Sequence, residues 1–306
     1  MKKMITILGP TASGKTELAC HLSLELDAEI ISADSRQIYK YMDIGTGKDI
    51  EEYTVDAQSI PFHLIDIKDP NYKYNIAEYQ IDFHKALGDI RDRSKTPILC
   101  GGSGLYIETA LKGSSYLGIE TKPELRAELE SLDEKGLEMR YAKLPDLLRN
   151  DLNARTSARK IRAIAIHEFM LQNPNWKPRK YEEIDSLIIG VEIERDLRRE
   201  KITKRLSHRL NNGLIEEAEY LIENHLTHDE LSFFGLEYKW LSLYLRKEIS
   251  KKELFDGLNT AIHQFSKRQM TWFRRMEKNG YKIHWVNAAD TLEIKKDKVL
   301  SLYAQY

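Results

Sequence analysis

The stretch GPTASGKT, residues 9–16, constrains the fold of this chain more than any other feature. It follows a short apolar run, residues 5–8, and precedes ELACHLSLEL, whose apolar residues recur at helical spacing. A glycine-rich loop between a strand and a helix holds phosphate oxygens with backbone amides, while its lysine reaches further out and its threonine hydroxyl meets Mg²⁺. We therefore predict a phosphate site, with Thr16 as the metal ligand, formed by Gly9, Pro10, Thr11, Ala12, Ser13, Gly14, Lys15 and Thr16.

The rest of the first half alternates between strand and helix patterns. AEIISA (28–33), FHLIDI (62–67) and PILC (97–100) read as strands, and residues 75–91 read as a long amphipathic helix. Apolar runs at 185–193 and 281–286 predict two more strands, with helices expected at 195–211, 214–224, 238–246 and 251–275. This order predicts an α/β fold, a P-loop NTPase-like parallel sheet flanked by helices.

The middle of the chain has a different character. Beyond residue 113 the sequence is helical in period and rich in charge, with turn signals at Gly118 and Pro145 and around residues 174–178. We therefore predict an all-helical insertion domain over residues 116–185, within a core domain formed by residues 1–115 and 186–306.

Composition and charge limit the kinds of protein this chain can be. With 42% apolar and 31% charged residues it should be globular, and no apolar run approaches the roughly 20 residues of a membrane span, so we expect a cytoplasmic protein. Cys20 and Cys100 sit in apolar surroundings typical of reduced thiols. The net charge of −1 hides basic runs at residues 158–160, 177–180 and 195–209, which favour a polyanionic partner over the alternative of solvated helix faces.

Two further motifs follow predicted strands and should lie beside the phosphate loop, since ligands of parallel sheets bind outside the carboxyl ends of the strands. In ADSRQIYKYMDIGTGK (33–48), Asp34 is a candidate magnesium ligand, general base or turn cap. In GGSGLYIETAL (101–111), Ser103 is either a substrate contact or a helix N-cap. Tyr39 and Tyr41 either stack a base or pack against the core.

Four motifs together resemble one family. GPTASGKT, DSRQIYKYMDIGTGK, GGSGLYIETAL and SKRQMTWFRR (266–275) are similar, in order and spacing, to the motifs of the tRNA dimethylallyltransferases, along nearly the whole chain. The resemblance implies transfer of a dimethylallyl group from dimethylallyl diphosphate to N6 of adenosine 37, in tRNAs that read codons beginning with U. It further implies that diphosphate is released, that Mg²⁺ is the cofactor and that the anticodon stem-loop of the tRNA is the partner, and we expect a monomer that needs no membrane.

The resemblance also assigns roles to residues. Asp34 matches the family's general base, Ser103 stands where a threonine contacts the substrate adenosine, and Arg205 corresponds to an arginine that reaches the diphosphate. Residues 9–16 would bind the diphosphate. The positions implied to touch the tRNA are Asp34, Ser35, Arg36, Gln37, Ser103, Arg126, Ala158, Arg159, Lys160, Ile161 and Arg162. The chain departs from the family pattern at residues 156–165, where two acidic positions are lost, at residues 262–264, and at Gly235-Leu236.

Two other functions share parts of this pattern. An adenylate isopentenyltransferase has the same core and donor but acts on free AMP, ADP or ATP, and it would not need the basic insertion. A P-loop nucleotide kinase would need a second aspartate at a strand end to hold magnesium, and Asp66 is the only candidate that the sequence offers.

Overall fold

The computed structural model of the protein describes residues 2–152, 154–179 and 181–306. Its elements in chain order are β1 (Met4–Leu8), α1 (Lys15–Leu26), β2 (Ala28–Ser32), a 3₁₀ turn (Ile50–Tyr53), β3 (Thr54–Val55), β4 (Gln58–Ser59), β5 (Phe62–His63), α2 (Ile76–Asp92), β6 (Thr96–Gly101), α3 (Gly104–Lys112), α4 (Pro123–Glu130), α5 (Glu134–Ala142), α6 (Asp146–Leu152), α7 (Ser157–Gln172), β7 (Ser186–Glu192), α8 (Arg195–Leu210), α9 (Leu214–Asn224), α10 (His228–Phe233), α11 (Leu236–Leu245), α12 (Lys251–Lys278), β8 (Ile283–Asn287) and α13 (Leu292–Gln305).

The core of the fold is a six-stranded sheet in the order β5-β2-β6-β1-β7-β8, in which neighbouring strands are parallel. β1 lies near its centre, with Ile5 opposite Ile98 on β6 and Leu187 on β7. Every residue of β1, β2 and β6 is buried, as expected for parallel strands covered on both faces. The predicted α/β fold is confirmed.

The two faces of the sheet bury separate apolar clusters. Met4 and Leu8 point to one face, where α2, α3, α8, α11 and α12 pack, and Ile5 and Ile7 point to the other, where α1 and α13 pack. This alternation follows from the two-residue period of a strand. α8 and α12 lie on the same face of the sheet. Side chains of both helices lie beside the segments that follow β1, β2 and β6.

The chain forms two compact units. One comprises Met1–Lys112 and Glu183–Tyr306, and the other comprises Gly113–Glu182. The smaller unit contains α4, α5, α6 and α7 around its own core of Leu129, Leu137, Leu148 and Ile164. α7 starts at a Thr156 cap, whose hydroxyl accepts the N–H of Arg159 at 3.4 Å.

One prediction about secondary structure was wrong. The strand expected over residues 62–67 ends at His63, because Leu64 and Asp66 have φ of +63° and +55°, which no extended strand accommodates. β8 confirms the strand predicted over residues 281–286, and α13, which no prediction covered, follows it. The Thr291 hydroxyl caps α13, and its buried Val299 packs on the sheet.

No described helix has the length and apolar character required to cross a membrane. Cys20 and Cys100 are buried free thiols, and burial raises the pKa of Cys100 to about 12.

Candidate active site

The phosphate loop joins β1 to α1 in the conformation of an anion-binding nest. Ala12 and Gly14 have φ of +63° and +79°, which turns successive backbone N–H groups towards one side. α1 begins at Lys15, so its N-terminal dipole adds positive potential there. Gly9 leaves no room for a side chain, because a Cβ would lie 2.7 Å from Ser13 Oγ and 2.9 Å from a backbone oxygen of β7.

The loop contains a polar group that has no hydrogen-bond partner among the described residues. The Ser13 hydroxyl is buried and, within the part of the chain that the structure describes, makes no hydrogen bond, which is unfavourable unless a ligand supplies one. No group of three or more His, Cys, Asp or Glu side chains among the described residues could hold a metal ion. Mg²⁺ commonly takes substrate phosphate and water oxygens, and the Thr16 hydroxyl in the cleft fits that oxygen donor set.

The loop forms one wall of a cleft of about 910 Å³ at the carboxyl ends of the strands. The other walls come from the segments after β2 and β6, from α8, from the turn between α10 and α11, and from α12. The predicted residues that line the cleft are Thr11, Ala12, Ser13, Gly14, Lys15, Thr16, Asp34, Ser35, Arg36, Gln37, Ser103 and Arg205. Gly9 and Pro10 lie behind the loop and do not line it.

Asp34 is half-buried in this cleft, two residues after β2 ends. Its Oδ1 accepts the backbone N–H of Arg36 at 2.9 Å, so the carboxylate does cap its own turn. A carboxylate has a second oxygen, and the cap fixes its direction without consuming it. Gln37 steadies the same segment by donating to the carbonyl oxygen of Gly47 at 3.0 Å.

Ser103 lies at the glycine turn between β6 and α3, next to Asp34. Its Oγ accepts the N–H of Ser35 at 3.4 Å, which ties the two motifs together. The turn depends on glycine on both sides, because a Cβ on Gly101 would lie 2.2 Å from the carbonyl oxygen of Ala33 and one on Gly104 would lie 2.2 Å from Trp272. The close approach of these backbones places the serine and aspartate side by side.

Arg205 reaches the cleft from α8 and faces the phosphate loop. Its guanidinium donates to the hydroxyl of Thr11, and its nearest carboxylate oxygen, on Asp49, is 3.9 Å away. That carboxylate is already held by Arg209 at 2.6 and 2.9 Å. Burial, together with the neighbouring Arg209 charge, lowers the pKa of Arg205 to about 10. The residue therefore remains a cation at neutral pH, incompletely neutralised, beside an anion-binding loop.

Gln269 of α12 lines the cleft, although the sequence motifs did not predict it as a site residue. Its Oε1 accepts the N–H of Thr11 at 2.9 Å and its Nε2 donates to the carbonyl oxygen of Gly102 at 3.0 Å. The buried amide thus joins the phosphate loop to the glycine turn. The available signal was its place in SKRQMTWFRR, since a glutamine among charged residues on a helix faces the core only when it has partners there.

Two cleft carboxyls were also not predicted. Glu52 and Glu237 both line the cleft. Burial, and then the nearby charge of Asp49, raise the pKa of Glu52. Burial also raises the pKa of Glu237. Nothing in their local sequence marks them as site residues, because their position depends on how distant elements pack.

The loop after Tyr39 answers two questions that the sequence left open. These are whether Asp66 is placed to hold magnesium in the cleft, and whether Tyr39 and Tyr41 are placed to stack a base. The ammonium of Lys48 is fully buried and contacts the carbonyl oxygen of Tyr39 at 2.6 Å, Asp43 at 2.6 Å, and Asp66. Asp66 is thus engaged in this ion pair and does not line the cleft. Tyr39 is buried in the core, and Tyr41 stacks on His225, so neither lines the cleft as a base-stacking side chain.

The remaining predicted residues lie in the smaller unit. Arg126 on α4 pairs with Glu130 at 3.4 Å, and on α7 Ala158 and Arg159 are exposed. Lys160 pairs with Glu138. Ile161 is buried in the core of this unit, and the Arg162 guanidinium donates to the carbonyl oxygens of Ile119 and Tyr116. Of the basic run at 177–180, Lys180 lies outside the described residues.

Comparison with known proteins gives a consistent result. The family model described as IPP transferase matches residues 37–276. The chain is 51% identical over 294 residues to tRNA dimethylallyltransferase 2 of Bacteroides fragilis, covering 95% of each protein. It is 49% identical over 301 residues to tRNA dimethylallyltransferase 2 of Phocaeicola vulgatus, covering 98% of this chain and 97% of the relative.

Solved structures agree. The full-length tRNA isopentenylpyrophosphate transferase of Bacillus halodurans has a TM-score of 0.73 and 30% identity, covering 100% of this chain and 96% of that one. A eukaryotic dimethylallyltransferase acting on tRNA has a TM-score of 0.74 at 22% identity, covering 95% of this chain and 75% of that one, which shows a shared fold. By sequence and by fold, the chain belongs to the IPP transferase family, that of the tRNA dimethylallyltransferases.

Proposed function

We propose that this protein transfers a dimethylallyl group from dimethylallyl diphosphate to N6 of adenosine 37, in tRNAs that read codons beginning with U, and releases diphosphate. The observation that carries the proposal is one cleft in which an anion-binding loop, the cation of Arg205 and the carboxylate of Asp34 all meet. We propose that the monomer is the working unit. A tRNA acceptor makes the cytoplasm the compartment.

The phosphate loop holds the leaving group. When the bond between C1 of the allyl group and the diphosphate oxygen breaks, negative charge accumulates on the diphosphate, and fixed positive groups lower the energy of that state. The positive groups are Lys15, the backbone amides of residues 12–16 and Arg205. The buried Ser13 hydroxyl gains a diphosphate oxygen as its hydrogen-bond partner. Mg²⁺, held by Thr16 and diphosphate oxygens, would neutralise part of the same charge.

Asp34 accepts the proton that the acceptor must lose. The lone pair of the adenine N6 amine is delocalised into the ring, so the amine attacks C1 poorly unless a base takes its proton as the new N–C bond forms. The turn to Arg36 fixes the carboxylate at the wall of the cleft, and Ser103 beside it supplies a hydroxyl for the adenosine. The proton passes to Asp34 as the diphosphate leaves.

The acceptor base has to leave its stack to reach that carboxylate. Bases in single-stranded loops are extruded at small cost, and proteins that act on them bind the flanking backbone through cationic groups. We assign the tRNA contacts to residues 34–37 and Ser103 in the core, and to the exposed Arg126, Ala158 and Arg159, with Lys160, in the smaller unit. The resemblance also implies Ile161 and Arg162, which would act by holding α7 in place, since their side chains are engaged within the unit.

The two alternatives are less well supported. A nucleotide kinase would need a second carboxylate for magnesium, and the candidate Asp66 is instead paired with Lys48. An enzyme acting on free AMP would have no use for the 70-residue unit at Gly113–Glu182.

A transfer assay with labelled dimethylallyl diphosphate tests the proposal. Unmodified tRNA with adenosines at 36 and 37, free AMP, and a blank are offered in parallel, with Mg²⁺ present or chelated. We expect label in the tRNA alone, and only with Mg²⁺. Label in AMP would move the protein to the small-molecule branch, and ATP binding without transfer would refute the proposal.

A further inference from the structure

Phe233 is an exposed aromatic side chain that lines the cleft. It ends α10, and 58% of its surface is open to solvent. Transferring a phenylalanine ring out of water is favourable. A ring that stays exposed at the wall of a binding cleft is therefore placed to be covered by a ligand. Asp34 lies deeper in the same cleft, being half-buried. Phe233 therefore stands at the mouth of the cleft, and Asp34 lies further in.

The ring of Phe233 packs against a buried aromatic neighbour. Phe234 is 5% exposed and meets it edge-on, with ring centres 5.6 Å apart, and Phe234 in turn packs edge-on against buried Tyr39 at 4.8 Å. Gly235 follows with φ of +129°, a conformation that L side chains rarely adopt, and this reversal starts α11. Phe233 thus lies between buried Phe234 and the cleft, with its ring edge-on to Phe234.

A cation links Phe233 to the catalytic turn. The guanidinium carbon of Arg36 lies 5.5 Å from the ring centre of Phe233, and the backbone N–H of Arg36 bonds to Asp34. Ring, guanidinium and carboxylate thus form one connected group on the acceptor side of the cleft. Aromatic rings and guanidinium planes are the surfaces on which proteins stack unpaired bases.

We propose that Phe233, with the guanidinium of Arg36, forms the stacking surface for the base that flanks the acceptor adenosine. The inference rests on the proposed function, because it needs an RNA acceptor. When the acceptor rotates towards Asp34, its neighbour loses a stacking partner, and Phe233 at the mouth of the cleft replaces it. Every base has a π-face, so the surface stacks any base. Phe233 therefore sets how tightly the RNA binds and which nucleotide lies at the ring, without selecting the identity of the base.

Steady-state transfer to an anticodon stem-loop tests the proposal with a graded series. Removing a stacking side chain should lower kcat/KM for the stem-loop by roughly 5- to 150-fold in Phe233→Ala, mainly through KM. Phe233→Leu should lose almost as much, because it keeps apolar volume without a π-face, whereas Phe233→Tyr and Phe233→Trp should stay within about threefold of wild type. Tyr72→Ala is the matched control, since Tyr72 is an exposed aromatic outside the cleft.

A second readout locates the base. Stem-loops with 2-aminopurine at position 36 or 38 should be more strongly quenched in the wild-type complex than in the Phe233→Ala complex at one of the two positions. Equal kcat/KM for the Ala, Leu and Tyr variants, or fluorescence independent of Phe233 at both positions, would overturn the inference while wild-type transfer continued. Weaker binding of a non-reactive donor analogue in Phe233→Ala would also overturn it, by placing the ring against the prenyl chain. A wild-type protein that transfers nothing would instead refute the proposed function.

Discussion

Gln269→Glu tests whether the buried amide of α12 holds the diphosphate site in shape. The substitution keeps the size of the side chain and exchanges one N–H donor for an oxygen. The carboxylate still accepts the N–H of Thr11, but its second oxygen then faces the carbonyl oxygen of Gly102, at the position where Nε2 now donates at 3.0 Å. A hydrogen bond becomes a repulsion, and a negative charge enters a cleft built for an anion.

The magnitude follows from those two changes. Losing one net hydrogen bond costs about 1 kcal/mol, and leaving the Gly102 carbonyl without its donor adds about 1 kcal/mol or more. A loss of about 2 kcal/mol in donor binding corresponds to a roughly 30-fold higher Kd at neutral pH. Burial and the facing carbonyl raise the pKa of the introduced carboxyl, and the protonated acid again donates to Gly102, so the affinity recovers as the pH falls.

Calorimetric binding of a non-reactive donor analogue with Mg²⁺, between pH 5.5 and 8, measures both effects. Gln264→Glu is the matched control, because it places the same charge on the exposed face of the same helix. Affinities of the two variants within twofold of each other at every pH would show that Gln269 does not position the site. A deficit in Gln269→Glu that does not change with pH would refute the hydrogen-bond reasoning and leave only a packing effect.

Three further predictions concern single residues. Asp34→Asn keeps the cap on Arg36, so single-turnover transfer should fall by roughly 10²- to 10⁴-fold with the affinity for the donor analogue unchanged; a wild-type rate would remove Asp34 from the base role. Arg205→Ala should raise the Kd of the donor analogue roughly 10- to 100-fold, with Arg205→Lys in between, and an unchanged Kd would contradict the assignment. A hydrogen bond from Arg93, aided by His63, lowers the pKa of Glu29 in the folded protein. The ionised Glu29 carboxylate therefore stabilises the fold above the unfolded pKa of about 4.3, and this contribution is lost as the pH falls through the lower folded pKa. Denaturant unfolding of Glu29→Gln should therefore lose less stability than wild type between pH 6 and pH 3, and parallel losses would contradict this reasoning.

Local sequence was sufficient for most of the fold. Short apolar runs such as MITIL and SLIIGVE, alternating with helix patterns along the chain, favour strands buried on both faces of a parallel sheet, and the Gly-rich loop after β1 indicates the edge at which the site lies. The strand after Phe62 was overestimated, because apolar pattern does not report the positive φ of Leu64 and Asp66. α13 carries a Thr291 cap and helical spacing, which were present in the sequence and were not used.

The site was predicted where chemistry follows directly after a strand, and missed where it depends on distant elements. Asp34 and Ser103 each follow a strand, so their position could be reasoned from the motif. Gln269 is 258 residues from Thr11, and no local pattern predicts that pair. Likewise Glu217 of α9 accepts three backbone N–H groups from residues 43–45 and so shapes the loop that carries Gly47.

The distribution of charge in the cleft explains how a phosphate loop can serve carbon–nitrogen bond formation. Phosphoryl transfer by P-loop enzymes needs a carboxylate at a strand end to hold the metal against the phosphate that is attacked. Here the candidate, Asp66, neutralises buried Lys48 instead, and Asp34 lies with Ser103 on the side of the cleft that we assign to the acceptor. Cations from the loop and from α8 line the part of the cleft where we propose that the diphosphate binds. In the proposed reaction, negative charge is therefore stabilised as it departs on the diphosphate and the proton is removed at the nucleophile, which is the charge separation that prenyl transfer to an amine requires.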